Sequence, residues 1–429
     1  MPAPALLLER SKRIAGSAWT LWAAFVLVHG WLGLLNLYGP GLPLGDVTYV
    51  YLFWVERGLT ADQWVGIDTS WVYPVLALVP MVAAYAFGPD LYATTWLTLM
   101  MALNAVALVS IIGVESRARR AGIAWWWMLF LVLLGPIALG RIDAVTVPVA
   151  MVAVMLIADH PRWGAALLAV GAWIKIWPAG LLLAALVALR ARGAVLRSAA
   201  ALSIGVVALG LLAGGGLSLL SAITEQTGRG LQVEAPVSTI WLWAAAAGAW
   251  SARVYYDEGI LTWQVFGEGT SLAADAMTPL LALVVVVIVG IGVVAALRGA
   301  PESALFPVLG LALVMALITV NKVGSPQFAA WIAVPIVLGL AWRTRGGVSF
   351  VVPAALALVT AALTQVVYPV LYGNLLSLEP WMLVALTTRN LLYVALLAWA
   401  VGQLVRLSWH AGGRSEAAVG VVAREEEPA

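Results

Sequence analysis

Long apolar runs, broken at short intervals by polar or proline-containing patches, set the pattern of this chain. A helix needs ~20 apolar residues to cross the hydrocarbon core of a bilayer. Runs near that length recur at 17–36, 91–113, 199–220, 278–297, 303–320, 349–368 and 380–405, with a shorter one at 328–342. Other runs are interrupted. Residues 71–87 carry Pro74 and Pro80, and 123–139 and 144–158 are separated by Gly140-Arg141-Ile142-Asp143. Residues 163–190 are broken at Lys175-Ile176-Trp177-Pro178. Two stretches are more polar, 37–70 and 221–276, the second with a short apolar piece at 236–250. Within the first, 47–57 is aromatic and mostly apolar but too short to span, which predicts a helix lying in the membrane interface.

Composition makes the pattern a class. Hydrophobic residues are 63% of the chain and charged ones 10%, where a soluble domain carries roughly 25% charged residues. The apolar runs cover nearly the whole length, so 1–409 reads as one polytopic domain and not a globular domain with an anchor. There is no Cys, which excludes disulfides, thiolate metal sites and Cys nucleophiles. His29, His160 and His410 are scattered, which argues against a His-rich metal site. Arg10, Lys12 and Arg13 precede an apolar run without a small-residue cleavage site, so the run reads as a retained first span. The polar tail, 410–429, is acidic at its end and is expected to be a disordered cytoplasmic segment.

Charge gives the orientation. Suppose 71–87 does not fully cross and 163–190 is a hairpin bent at Lys175–Pro178. Then 16 of the 23 Lys and Arg gather on one side, the cytoplasmic one by the positive-inside rule. If 71–87 crosses fully, Arg117, Arg119 and Arg120 move outside and the rule is violated. The expected fold is therefore an all-α polytopic membrane protein with about 12 transmembrane helices. Both termini are inside, and re-entrant or interfacial helices lie in the first outer loop.

Seven cations escape the rule: Arg57, Arg141, Lys175, Arg229, Arg253, Lys322 and Arg389. An ionisable group near membrane depth costs ~2.5–3.5 kcal/mol on insertion scales and is a functional candidate by default. Several of them converging at the outer face suggest an anionic ligand. Asp46, in the loop 37–70, is the natural counterpart. A carboxylate within hydrogen-bond reach of an acceptor hydroxyl serves as a general base, while cations stabilise charge building on a departing phosphate. The 22 Trp and 11 Tyr furnish interfacial belts and surfaces for stacking on sugar rings. Blander roles stand beside these. Asp46 is a favoured residue for capping the interfacial helix, and Glu56, Asp62 and Asp68 read as solvated loop charges. Lys175 has the length to snorkel to the surface. Arg141 and Asp143 have the spacing to pair, as do Arg229 and Glu234. Lys322 fits an anchor at a span end, and Arg389 fits a donor to carbonyls of neighbouring helices.

The order of these motifs resembles the GT-C glycosyltransferases, polytopic enzymes that take a sugar from a polyprenyl-phosphate donor. Asp46 with Tyr49, then Gly58 and Tyr73-Pro74, resembles the first outer loop of GPI mannosyltransferase I and of bacterial glycosyltransferase family 87. Gly140-Arg141-Ile142-Asp143 sits where those relatives have a polar break, and Lys175-Ile176-Trp177-Pro178 resembles their Lys-x-x-Pro element. Gly228-Arg229-Gly230-Leu231-Gln232-Val233-Glu234 and Lys322-Val323-Gly324-Ser325-Pro326-Gln327-Phe328 resemble the actinobacterial branch of family 87. The resemblance covers about 40–340. Tyr-Pro-Val replaces the commoner Tyr-Pro-Pro, and Asp46 lacks the adjacent second acid of some GT-C families, so neither metal nor cofactor is expected.

The resemblance implies a GT-C-like fold and an inverting transfer of a hexose, mannose foremost, from polyprenyl phosphate to a lipid-linked glycan. Asp46 would be the base, in a catalytic outer loop at 37–70. Lys175, Arg141 and Arg229 would hold the donor phosphate, and Tyr49, Tyr73, Glu234, Lys322 and Gln327 would contact substrate. The rival reading is a transporter or flippase for a lipid-linked saccharide, since broken helices are what transporters use. Ala-, Val-, Gly- and Arg-rich usage fits a GC-rich bacterial genome, and the expected setting is an actinobacterial plasma membrane with the site facing outward.

Overall fold

The computed structural model of the chain describes residues 15–113, 117–225 and 228–425. Arg10, Lys12 and Arg13 lie outside the described residues, as do 426–429 of the tail. The first part of the chain holds α1 (Ala18–Tyr38), a π-turn at Asp46–Tyr51 that continues into α2 (Leu52–Ala61), the short α3 (Leu78–Ala84), α4 (Tyr92–Ile112) and α5 (Arg117–Leu134). The middle holds α6 (Asp143–Leu156), α7 (Pro161–Ile174), α8 (Pro178–Ala188), α9 (Arg192–Leu212) and α10 (Thr239–Ala246). Then come β1 (Arg253–Asp257), β2 (Thr262–Phe266), α11 (Thr270–Leu297), α12 (Glu302–Thr319), α13 (Ala333–Trp342), α14 (Val351–Gln365) and α15 (Pro380–Glu425). The backbone of 410–425, expected to lack structure, continues α15.

Nine helices among the described residues are long and apolar enough to cross a membrane, so the chain is a polytopic helical membrane protein. The runs that proline or charge interrupts form shorter helices, Val75–Phe87, Asp143–Leu156 and Pro178–Ala188. Burial among the long helices does not follow apolarity. Thr270–Leu297 has mean hydropathy 3.2 but is only 17% buried, whereas Pro326–Arg345 has 1.2 and is 83% buried. Lipid tails are as apolar as Leu, so a lipid-facing helix needs unbroken apolar side chains, while a helix inside the bundle tolerates polar ones that find partners. α12 and the segment 326–345 form the centre, with α6, α8, α11 and α15 packed around them.

The stretch from Asp46 to Ala61 is helical and two-faced. Val47, Tyr51, Val55 and Gly58 share the buried face of the turn and α2, and Tyr49 and Phe53 are exposed. Asp62, in the left-handed region at φ 51°, ends the helix.

The all-α expectation needs one amendment. β1 and β2 form an antiparallel ribbon in which Val254 faces Val265 and Tyr256 faces Trp263. Their β-branched and aromatic residues suit a pleated surface. Asp257 shapes the turn, its Oδ1 accepting from the backbone N–H of Gly259 (3.0 Å) and Ile260 (3.3 Å). Residues 231–233 add to the ribbon, with Val265 N donating to Leu231 O and Val233 N to Trp263 O.

Candidate functional site

The polar break before α6 is non-helical backbone next to the core, and side chains partner several of its backbone groups, as non-helical backbone in a bundle requires. Leu139 O accepts from the Trp96 indole (2.8 Å), Gly140 O from Arg141 Nη1 (2.8 Å), and Ile142 N donates to the Tyr51 hydroxyl (3.2 Å). Gly140 has no room for a Cβ, which would meet Pro43 O at 2.6 Å and Asn36 Oδ1 at 2.9 Å. That close approach lays the loop carrying Asp46 on the break carrying Arg141.

Arg141 then reaches Asp46. Its Nε lies 3.0 Å from Asp46 Oδ2. Nη1 also donates to Pro43 O (2.7 Å), and Nη2 to the Tyr368 hydroxyl (2.7 Å). The guanidinium is thus spent on holding the loop and the carboxylate, and its side chain is 9% exposed while that of Asp46 is 40% exposed. Gly45, not Asp46, occupies the cap position of the turn, and no side chain caps it. The capping role that Asp residues commonly fill is therefore not the one seen, and Oδ1 takes no hydrogen bond among the described residues.

A second pair sits beside the first. Lys175 Nζ donates to Asp143 Oδ2 at 2.9 Å, with Asp143 1% exposed. Asp143 Oδ1 accepts from the Trp331 indole (2.6 Å). Lys175 is extended (φ −154°, ψ 134°) between α7 and α8, and Pro178 restarts the helix where a missing N–H does no harm. Its ammonium lies over three rings, 5.4 Å from Tyr73, 5.1 Å from Phe328 and 5.9 Å from Trp331. The expected Arg141–Asp143 pair is corrected by this geometry. The two residues have separate partners, because the turn at 141–143 sends one side chain to the loop and the other to the Lys175 break.

Tyr73 joins the parts. It packs edge-on to Trp54 and Trp71 and lies within the electrostatic reach of Lys175, Asp46 and Asp143. Arg229 lies within reach of Tyr73 in turn. Burial pushes the Arg229 guanidinium below its usual range, against the pull of Tyr73, Glu225 and Asp257. Among the described residues Arg229 makes no ion pair, and its Nε is buried without a hydrogen-bond partner. Asp46, Arg141, Asp143, Lys175 and Arg229 together therefore carry a net charge of about +1 by formal counting, with Arg229 the cation left over.

The motifs at 228–234 and 322–328 meet each other. Gln232 N donates to Lys322 O (3.0 Å). A Cβ on Gly324 would fall 2.0 Å from Ala235 N, so only Gly lets the two segments touch. Lys322 is buried, which lowers its ammonium pKa, and Asp275 works the other way. Gln327 is buried, with Oε1 unpartnered among the described residues. Glu234 does not pair with Arg229. It is 3% exposed and bound twice by Arg389, through its carboxylate and, at 2.8 Å, through its carbonyl. Arg389 bonds a backbone carbonyl, as its depth in the span suggests, and neutralises a buried acid as well. Tyr49 is exposed (68%) and takes no part in the cluster.

Tyr51, Tyr368 and Trp331 belong to the site without having been singled out from sequence, and Phe328 was named only as the end of a motif. Tyr368 had a signal, since Tyr368-Pro369 repeats the pair at Tyr73-Pro74. Among the described residues no group of three or more His, Cys, Asp or Glu is placed to hold a metal ion. Compared with known protein families, curated proteins and solved structures, the chain has no match.

Proposed function

We propose that this protein is a membrane glycosyltransferase of GT-C type that moves a hexose, most simply mannose, from a polyprenyl-phosphate donor to a lipid-linked glycan. The observation that carries the reading is Asp46. It is a part-exposed carboxylate, held through one oxygen by a buried arginine, with Tyr73 within electrostatic reach both of it and of Arg229.

In this reading the acceptor hydroxyl gives its proton to Asp46 Oδ1 as its oxygen bonds to the anomeric carbon. The bond from that carbon to the phosphate oxygen breaks on the opposite side, and polyprenyl phosphate leaves with the electron pair, so configuration inverts. Arg141 orients the base. Arg229 is the first candidate for the phosphate, because Lys175 is shared with Asp143; Lys175 adds positive potential from behind its rings. Preorganised cations placed where charge develops commonly contribute more to such catalysis than any other single effect. Tyr73 and Gln327 are the candidate sugar contacts, and Glu234 and Lys322 hold the wall on which Arg229 sits. The charge distribution favours a plasma-membrane enzyme with this end outward, about 12 crossings in all when α6, α7 and α8 are counted and Val75–Phe87 is not.

The break at Lys175–Pro178 is the observation that favours the rival transporter reading. One experiment separates them. Purified protein in liposomes is given radiolabelled polyprenyl-phosphate mannose and a lipid-linked glycan. Transfer by wild type that is lost in Asp46→Asn supports the assignment. Transfer undiminished in Asp46→Asn removes the base, and movement of lipid-linked sugar without transfer removes the enzyme.

A further inference from the structure

The helices that frame the site have a second end. α6 leads from Asp143 to Asp159, α8 leads from the Lys175 break to Arg190, and Pro326–Arg345 leads from the Phe328 and Trp331 rings to Arg345. α12 runs back and begins there at Glu302. At ~1.5 Å per helical residue these ends lie roughly 20 Å from Lys175, on the opposite side of the bundle. They enclose a cleft of about 360 Å³ lined by Arg190, Glu302, Ser303, Trp342 and Arg345 among others. A second cleft of about 240 Å³, with Asp159, Arg162 and Trp163 on its wall, adjoins it.

Three features separate this place from an ordinary basic loop. The two arginines come from different breaks in the chain and converge on one cavity, which orientation by positive charge does not require. Each is held only loosely: Arg190 Nε lies 3.5 Å from Glu302 Oε1 and Arg345 Nη2 lies 3.5 Å from Asp159 Oδ2, with the Arg190 side chain 97% exposed. Exposed pairs of this kind contribute little, so an incoming anion exchanges for them easily. Finally, side chains suited to a bilayer boundary lie at this end of the bundle. Leu297, four residues before Pro301, and the indoles of Trp163 and Trp409 are all more than two-thirds exposed, as expected of side chains at a bilayer boundary.

We infer that this cleft binds the phosphodiester headgroup of an anionic phospholipid in the leaflet opposite the Asp46 site. Arg190 and Arg345 bind the phosphate oxygens. The Ser303 hydroxyl donates to the headgroup, and Trp342, whose ring lies 5.7 Å from the Arg345 guanidinium carbon, packs beside it. The assignment is independent of glycosyl transfer.

The test uses the full chain in nanodiscs of phosphatidylcholine mixed with phosphatidylglycerol, with retained lipid counted by native mass spectrometry. Wild type retains phosphatidylglycerol selectively. Arg190→Ala and Arg345→Ala each lower that retention about fivefold, and Arg345→Lys, which keeps the charge, restores most of it. Arg192→Ala with Arg197→Ala removes twice the charge of either cleft variant from the same side without touching the cleft and leaves retention unchanged. Equal retention in the cleft variants overturns the proposal, and so does an equal loss in the control, which would make the effect one of net charge. Displacement by glycerol 1-phosphate at equal concentration would assign the cleft to a soluble phosphate and overturn the lipid. Monodisperse elution and an unchanged unfolding midpoint establish that each variant is folded.

Discussion

The same central helices carry charge at both ends, and the two ends treat it in opposite ways. At one end Asp143 and Lys175 meet at 2.9 Å with the acid 1% exposed, and three rings, one of them the Trp331 indole that donates to the acid, complete their surroundings. At the other, Arg190 with Glu302 and Arg345 with Asp159 meet at 3.5 Å in the open. Helix length explains the difference. α6 has 14 residues, about 21 Å of helix at 1.5 Å per residue, and a hydrocarbon core is ~30 Å thick. If one end stands at the bilayer surface, the other stops inside it, and charge stopping there must be paired and hydrogen-bonded. The short helices are what turn one face of the bundle into a recess.

The comparison is sharpest between two aspartates of that recess. Asp46→Asn is expected to lower transfer by ~10²–10⁴-fold, the usual worth of a positioned base, and to cost less stability than Asp143→Asn, because the carboxylate is part-exposed and Arg141 keeps Pro43 O and the Tyr368 hydroxyl as acceptors. Asp143→Asn leaves the Lys175 ammonium buried without its counter-charge and is expected to destabilise by ~3–5 kcal/mol. Initial rates and unfolding midpoints in one detergent check both. A collapse in stability with Asp46→Asn would make the two acids equivalent and the distinction empty.

Arg389 and Glu234 test whether buried pairing is what matters. Arg389→Met alone is expected to destabilise by ~3–5 kcal/mol, since it strands a buried carboxylate, and adding Glu234→Leu is expected to recover most of that loss. A double variant no better than the single would show that the pair is needed for more than mutual neutralisation. Gly324→Ala is smaller. The Cβ would press on the backbone at Ala235, and overpacking of this kind costs ~1–3 kcal/mol. Its sharper readout is in the site, because the same contact holds the segment of Arg229. The Michaelis constant for the donor is expected to rise more than the turnover number falls.

How much of this was legible in the sequence follows from range. The long apolar helices, a helical stretch at 47–57 and the breaks at Arg141 and Lys175 were legible because each is an apolar run or a local interruption of one. The partners were not. Arg141 and Asp143 are two residues apart and look like a pair, yet their partners are Asp46 and Lys175, delivered by tertiary packing. Glu234 looked like a partner for Arg229, five residues away, but a helix more than 150 positions downstream supplies Arg389. The ribbon at 253–266 had a signal in its Val, Tyr, Trp and Phe residues around Asp257-Glu258-Gly259, which the surrounding apolar helices mask. Gly58 and Gly324 stood out as motif members, but the reason for each is a contact. A Cβ would strike the Trp64 ring at 2.5 Å in one case and the Ala235 backbone in the other.

The smallest expected effect belongs to the open end. Arg345→Gln removes a pair at 3.5 Å in which both side chains are well exposed, and an exposed pair is worth ~0–1 kcal/mol. In detergent without anionic lipid the unfolding midpoint is expected to move by no more than that. The difference should vanish in about 1 M salt, where the screening length falls to ~3 Å. Salt should leave the Asp143→Asn penalty nearly intact, because that pair is shielded from solvent ions. If Arg345→Gln instead destabilises the lipid-free protein as much as Asp143→Asn does, and salt does not relieve it, then the open end carries structural charge too. The contrast would then have to be traced to something other than the depth at which the short helices stop.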